Sequence, residues 1–318
     1  MRGKAKRKVK KAIDGSSPAL YRSQRDGPQS PIDMETRMSL ITDKITAPTD
    51  RPRVTRARLL SALADGMADC HATVVAGRAG TGKTLLAAEF AASSGRGVAW
   101  YKVDAPEVEL HLFLQYLIAA VRGQHSGFGR QTLALAQTVG NSGSHQTPEA
   151  EATPLAESFV YEMLLLEASE PLLLVVDDLH LVYDAEWVVP FFSRLLPLLP
   201  AESHMLLIGR TPPPAPLWRM RSKQTLCVIE ESALLFNTRE ATELFASYDL
   251  PGEQATAALA ATRGRASALH TLAREQSAAI AENDGAAAAT TSHGERQPAN
   301  SRLQLVKGFA AKPSLRAT

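Results

Sequence analysis

The sequence predicts an α/β fold: a five-stranded parallel sheet covered by helices on both faces, followed by a small helical lid. Three observations predict it. Five short apolar runs rich in β-branched residues alternate with segments of helical periodicity, the pattern of strand–helix–strand crossovers. A glycine-rich turn carrying a Lys-Thr pair, residues 77–84, joins the first run to a helical run. A later apolar run, residues 171–178, ends in two adjacent carboxylates. At 318 residues, 45% apolar and 21% charged, the chain has material for a buried core, and about two domains are expected.

The elements follow in order. Residues 1–40 are polar, basic and rich in Ser, Pro and Arg, and predict a disordered tail. The α/β domain is expected over 41–232, opening on the compact segment ITDKITAPTDRPRVTRARLL. Its strands are Ala72–Ala76, Gly97–Val103, Leu172–Asp177, Met205–Gly209 and Leu226–Glu230. Its helices are Lys83–Ala92, Val108–Val121, Leu155–Ala168 and Glu186–Leu199. Residues 122–156, rich in Gly, Ser, Gln, Thr and Ala, predict a long flexible insertion. Helical patterns at Thr238–Tyr248, Gly252–Thr262 and Ser267–Gln276 make up the lid, 233–277. Residues 278–318 are of low complexity and read as a second disordered tail.

Composition excludes several classes. The longest apolar stretch, Trp187–Leu199, is interrupted by Pro190, Ser193, Arg194 and Pro197, so no membrane helix is expected. No apolar segment follows the basic N-terminus, as a secretory signal would require. Cys70 and Cys227 suggest neither a disulfide framework nor a zinc cluster. Cys227 reads as a small core residue in a strand. A cytoplasmic protein is expected. Residues 1–58 carry 15 Lys/Arg against 6 Asp/Glu, a net of +9, while the remainder carries 20 against 27, a net of −7. The basic block at residues 2–11 predicts weak, nonspecific polyanion binding. No aromatic interleaves with it, so base stacking is not indicated.

The segment Gly77-Arg-Ala-Gly-Thr-Gly82-Lys83-Thr84 fits G-x-x-x-x-G-K-[ST] completely. Glycines permit left-handed backbone and let N–H groups face a phosphate. The following helix adds the partial positive charge of its N-terminus. Lys83 is placed to bridge β- and γ-phosphates, and Thr84 to offer its hydroxyl to Mg²⁺. In Pro171-Leu-Leu-Leu-Val-Val-Asp177-Asp178, Asp177 is the expected metal residue. Asp178 is expected to orient the attacking water. Arg210, at the end of the Met205–Gly209 strand, is expected to contact the γ-phosphate and report its presence. His180 reads as structural.

On these residues the chain resembles the signal-transduction ATPases with numerous domains, the STAND class of P-loop NTPases. Within it, the chain is similar to the NTPase region of the MalT-like large LuxR-family transcriptional activators, over residues 41–275. Lys44-Ile45 with Pro48, and Val54-Thr-Arg56-Ala-Arg58-Leu59-Leu60, resemble that family's lead-in segment. Val98-Ala-Trp100-Tyr101-Lys-Val-Asp104 is similar to its second strand, and Asp177-Asp178-Leu-His180-Leu to its acidic signature. Leu207-Ile-Gly-Arg210-Thr resembles its sensor strand. Leu235–Phe245 and Gly264-Arg-Ala-Ser-Ala-Leu269 resemble its lid motifs, with Arg265 and Ala266 departing from the common pattern.

The resemblance implies an AAA-like strand order, with the Arg210 strand between the phosphate-loop strand and the Asp177 strand. It implies nucleotide contacts from the backbone near Val54 and Arg56, and from Gly77, Ala79, Gly80, Thr81, Gly82, Lys83, Thr84 and Leu85. It further implies an ADP-held resting form, opening and self-association on ATP binding, and slow hydrolysis that resets the switch. The family continues beyond the lid into a winged helix, a repeat superhelix and a helix-turn-helix. This chain is expected to lack them, so DNA binding through such a domain is not expected. Three functions compete: a Mg²⁺-dependent ATP switch module, a stand-alone ATPase with productive turnover, and a nucleic-acid binder acting through the basic tail. The second would need an arginine finger, for which Arg219 or Arg221 is the candidate. A truncated remnant without activity is the remaining alternative.

Overall fold

A computed structural model of the chain describes residues 41–105, 108–141, 147–166 and 171–291. The expected tails at 1–40 and beyond 291 lie outside the described residues.

Strands β1 (Ala72–Ala76), β2 (Gly97–Lys102), β3 (Leu172–Asp177), β4 (Ser203–Gly209) and β5 (Leu226–Ile229) form one sheet in the order β2-β3-β4-β1-β5. Every neighbouring pair is parallel. The strand of Arg210 therefore lies between the phosphate-loop strand and the Asp177 strand, as the resemblance implied. Strands β1 and β3 are buried at every residue, as expected of a sheet covered on both faces.

Strand residues alternate between the two faces. Val75, Trp100, Leu173, Val175, Leu206, Ile208 and Ile229 share a core with Leu59 and Leu63 of α1 (Ala57–Asp69) and Leu86 and Phe90 of α2 (Lys83–Ser93). The opposite face carries an aromatic cluster. Tyr101 of β2 lies 5.2 Å from Phe113 of α3 (Leu110–Arg122) and 5.6 Å from Tyr116 between ring centroids. Phe113 in turn packs 4.8 Å from Trp187, which precedes α6 (Val188–Leu195).

The structure corrects the insertion. Residues 130–141 form a helix, α4 (Arg130–Asn141), and α5 (Pro148–Leu165) begins well before the expected Leu155. Buried Glu162 of α5 caps α4, accepting hydrogen bonds from the N–H groups of Gln131 (3.1 Å) and Thr132 (3.0 Å) and from Thr132 Oγ1 (2.6 Å). This long-range cap gives a weakly patterned segment its helical start. At α5 the local signals are Thr147 as N-cap and Pro148 in the first turn. The expected helix over Glu186–Leu199 is shorter, because Pro197 lacks the N–H to continue it, and residues 196–198 form a 3₁₀ turn.

The cysteines are a second correction. Cys70 and Cys227 form a disulfide, with Cα atoms 6.0 Å apart, closing a sequence separation of 157 residues. Cys227 stands opposite Thr73 in the β1–β5 ladder, and Cys70 lies two residues before Ala72 at the start of β1, so the two come together. A tie across so long a loop constrains the unfolded chain strongly. Reduction, or Cys227→Ser, is expected to lower stability by about 2–4 kcal/mol. Thermal melts with and without a dithiol check this. A melting temperature unmoved by reduction contradicts it.

The lid comprises α7 (Thr238–Ala246), α8 (Gly252–Thr262) and α9 (Ala266–Thr291). Helix α9 runs past the expected end of the lid at 277, so residues 278–291 are helical rather than irregular. Asn237 and Glu240 form a reciprocal capping box on α7. The lid has its own core of Phe236, Leu244, Phe245, Leu250, Ala255 and Leu269, and Val54 from the lead-in segment joins it.

Candidate nucleotide-binding site

The site lies at the C-terminal ends of β1, β3 and β4, where a doubly covered parallel sheet places ligands. The loop of residues 77–82 leaves β1 and turns into α2. Gly80 and Gly82 sit at φ +79° and +80°, a region that favours glycine. A Cβ on Gly80 would overlap Ser267 Oγ, and one on Gly82 would come within 2.9 Å of an Arg56 nitrogen. The loop therefore has no room for side chains at either place.

Lys83, the first residue of α2, is buried, and its ammonium donates to the Arg78 carbonyl at 3.1 Å. Burial pulls its pKa down, and the charges of Asp177 and Asp178 oppose that shift. Thr84 Oγ1 donates to Asp177 Oδ2 at 2.9 Å. Asp177, at the end of β3, is 1% exposed. Burial chiefly, and then Asp178, push its carboxyl above the usual carboxylate range, while the Thr84 hydrogen bond works the other way. A half-buried hydroxyl bound to a buried carboxylate, beside a buried ammonium, suits a hard divalent cation and phosphate oxygens. Among the described residues no group of three His, Cys, Asp or Glu could hold a metal unaided.

Asp178 adopts φ +56°, left-handed for a non-glycine residue. His180 Nδ1 lies 3.8 Å from Asp178 Oδ1. Among the described residues His180 Nδ1 and Tyr183 Oη are buried without a hydrogen-bond partner. Burial lowers the His180 pKa, with Asp178 opposing. It also raises that of the Tyr183 phenol. Both rings border Gly209, where a Cβ would stand 3.0 Å from Tyr183 Oη and 3.5 Å from His180 Cβ. Arg210 is exposed, and its charge is felt by both Lys83 and His180.

The structure thus gathers Lys83, Thr84, Asp177, Asp178 and Arg210 into one site. Ala79 and Gly80 form the exposed rim of the loop, Thr81 is buried, and Leu85 is half-buried in the first turn of α2. Gly77 donates its N–H to Gly209 O at 3.2 Å, tying the loop to β4. The side chain of Val54 belongs to the lid core, and that of Arg56 hydrogen-bonds the loop itself.

Sequence reasoning missed Glu231. It accepts from Arg78 Nε at 2.6 Å and from the Arg78 N–H at 2.9 Å, bracing the outer side of the loop. Its carboxyl is held below the usual range by these Arg78 hydrogen bonds. No motif marks it in the sequence; it lies two residues after β5, and the pairing of β5 with β1 brings it to the loop.

Residues 53–208 match the AAA ATPase domain family. The chain is 30% identical over 212 residues to the HTH-type transcriptional regulator MalT of Yersinia enterocolitica, covering 65% of this chain and 22% of that protein. It is 31% identical over 212 residues to the regulator of the same name from Serratia proteamaculans, with the same coverage. The chain thus spans under a quarter of the length of these relatives. A Walker-type ATPase of Pyrococcus abyssi is similar at 12% identity and TM-score 0.41, over 78% of this chain and 79% of that one. The chain thus resembles the AAA ATPase domain family over residues 53–208 and is similar to the MalT regulators over 212 residues, with a phosphate-loop motif and a parallel strand order that fit this likeness.

Proposed function

We propose that the chain is an ATP-binding regulatory switch module that hydrolyses ATP slowly with Mg²⁺. The observation that carries this reading is the 2.9 Å Thr84–Asp177 pair set beside buried Lys83 at the mouth of the loop. Lys83 leaves the Arg78 carbonyl to bind the β- and γ-phosphates. Thr84 and Asp177 would hold Mg²⁺, which supplies neutralisation of phosphate charge. Asp178, on its left-handed turn, orients the attacking water, and His180 lies near enough to steady that carboxylate. Val54 and Arg56 offer their backbone to the base, and residues 79–85 of the loop and first helical turn offer their N–H groups to the phosphates, with Gly77 anchoring the loop to β4.

The module works in the cytoplasm. It changes its self-association with ATP and so controls transcription indirectly. The basic N-terminal segment adds weak polyanion binding. Among the described residues no helix is long and apolar enough to cross a membrane. The stand-alone ATPase reading gains little from Arg221. That side chain stacks 4.5 Å over Trp218 and pairs with Glu230 at 3.7 Å, so it is already engaged within its own chain.

Arg210 separates a switch from a passive binder. Arg210→Ala is expected to weaken ATP about 10-fold more than ADP, the worth of one charge-assisted bond to the γ-phosphate. Paired calorimetric titrations of ATP and ADP check it. Equal losses for the two nucleotides contradict the sensing role.

A further inference from the structure

Arg56 is 5% exposed, and its three hydrogen bonds all go to backbone carbonyls. Nη1 donates to Thr81 O at 3.2 Å and Leu234 O at 2.9 Å. Nη2 donates to Gly82 O at 3.0 Å. Two of these carbonyls lie in the phosphate loop. The third lies in residues 230–236, the connection from β5 into the lid. One buried guanidinium therefore holds two bodies together. Burying such a charge is costly, and an apolar side chain would fill the space without that cost. A fork of donors, however, can hold three carbonyls at once.

The direction of these bonds matters. In a trans peptide the C=O of one residue and the N–H of the next point to opposite sides. With the Thr81 and Gly82 carbonyls turned toward Arg56, the N–H groups of Gly82 and Lys83 are turned away from it. They face the loop's concave side, where a phosphate would sit.

The surrounding contacts converge on the same joint. The Arg56 guanidinium lies 5.3 Å from the centroid of Phe236, a lid-core residue. Arg58 bonds Glu240 of α7 at 2.8 Å and Leu235 O at 2.6 Å, and also donates to Ala233 O. From the lid side, the Ser267 N–H donates to Gly80 O at 2.9 Å. Loop and lid thus meet at Gly80 through Ser267, and at Thr81 and Gly82 through Arg56.

We propose that Arg56 is a positioning residue that couples nucleotide occupancy of the phosphate loop to the placement of the lid. The proposal rests on the nucleotide-binding reading of the loop and deepens it. A nucleotide that shifts the peptide planes at residues 81–83 changes the grip of Arg56 on Leu234. A displaced lid in turn withdraws Arg56 from the loop carbonyls and spoils the aim of the N–H groups.

The test is amide hydrogen exchange read by mass spectrometry on the full chain, with and without saturating ADP and Mg²⁺. The native protein is compared with Arg56→Lys, which keeps the charge and loses the fork, and with Arg56→Gln. In the native protein ADP is expected to slow exchange in lid peptides 236–246 and 266–273. Arg56→Lys is expected to bind ADP about 10-fold more weakly, the worth of a lost charged hydrogen bond. At saturation its lid peptides are expected to exchange as fast as in the nucleotide-free variant, with sheet peptides 172–177 and 205–209 as protected as in the native protein. A full ADP effect on the lid of either variant overturns the proposal. So does loss of sheet protection in both variants, since Arg56 would then be a general structural residue. Failure of the native protein to bind ADP overturns the nucleotide-binding reading and the coupling with it. In that case the nucleotide-free samples still show, by faster lid exchange in the variants, whether Arg56 holds the lid.

Discussion

Lys83→Ala is expected to weaken ATP and ADP binding by at least about 100-fold, as removal of a buried charge from a phosphate site does. The argument starts from burial. Lys83 is 8% exposed, and its ammonium touches only the Arg78 carbonyl among its described hydrogen bonds. Asp177 and Asp178 are the nearby carboxylates that favour its charge. A phosphate arriving in the loop therefore meets a largely desolvated ammonium, which binds it far more strongly than one in water would. Deleting it also leaves Asp177 and Asp178 facing the phosphates without compensation. Fluorescent-nucleotide titration checks the variant, and circular dichroism confirms that it is folded. Affinity within a few-fold of native in a folded variant contradicts the site.

Asp178→Asn is expected to lower the hydrolysis rate by about 100-fold or more, the usual worth of a positioned acid–base group, while ATP affinity changes little. The two carboxylates divide their work by position. Asp177 Oδ2 is bound to the Thr84 hydroxyl, and its Oδ1 accepts the Asp178 N–H at 2.9 Å. Both oxygens are thus fixed, as the proposed Mg²⁺ role for Asp177 would require. Asp178 stands one residue beyond the strand on a left-handed turn, half-buried, with His180 3.8 Å away. In the proposed mechanism it is therefore the carboxylate that would orient the attacking water. Single-turnover hydrolysis and equilibrium binding on the same variant separate the two effects. Loss of binding in proportion to loss of hydrolysis would make Asp178 a second binding residue instead.

Much of this was legible before any coordinates. The strands were readable because each of β1 and β3 is buried at every position and so is apolar but for Thr73 and Asp177. The phosphate loop was readable because its glycines answer local needs, left-handed backbone and crowding, that no other residue meets. What escaped depends on contacts distant in the chain. Helix α4 owes its capped start to Glu162, 30 residues on from Thr132. The Cys70–Cys227 bond depends on β1 and β5 being neighbours. Arg56 resembled a family position, but its grip on Leu234 spans 178 residues. Glu231 carried no motif at all, and only the fold places it against Arg78.

The central claim is that the loop at residues 77–84 binds nucleotide with Mg²⁺ held by Thr84 and Asp177. Isothermal titration of nucleotide-stripped protein with ATP and with ADP, each with and without Mg²⁺, tests it most directly. The account predicts binding at micromolar or tighter dissociation constants, with Mg²⁺ strengthening ATP more than ADP. No heat from either nucleotide, in protein whose melting shows it folded, would contradict it.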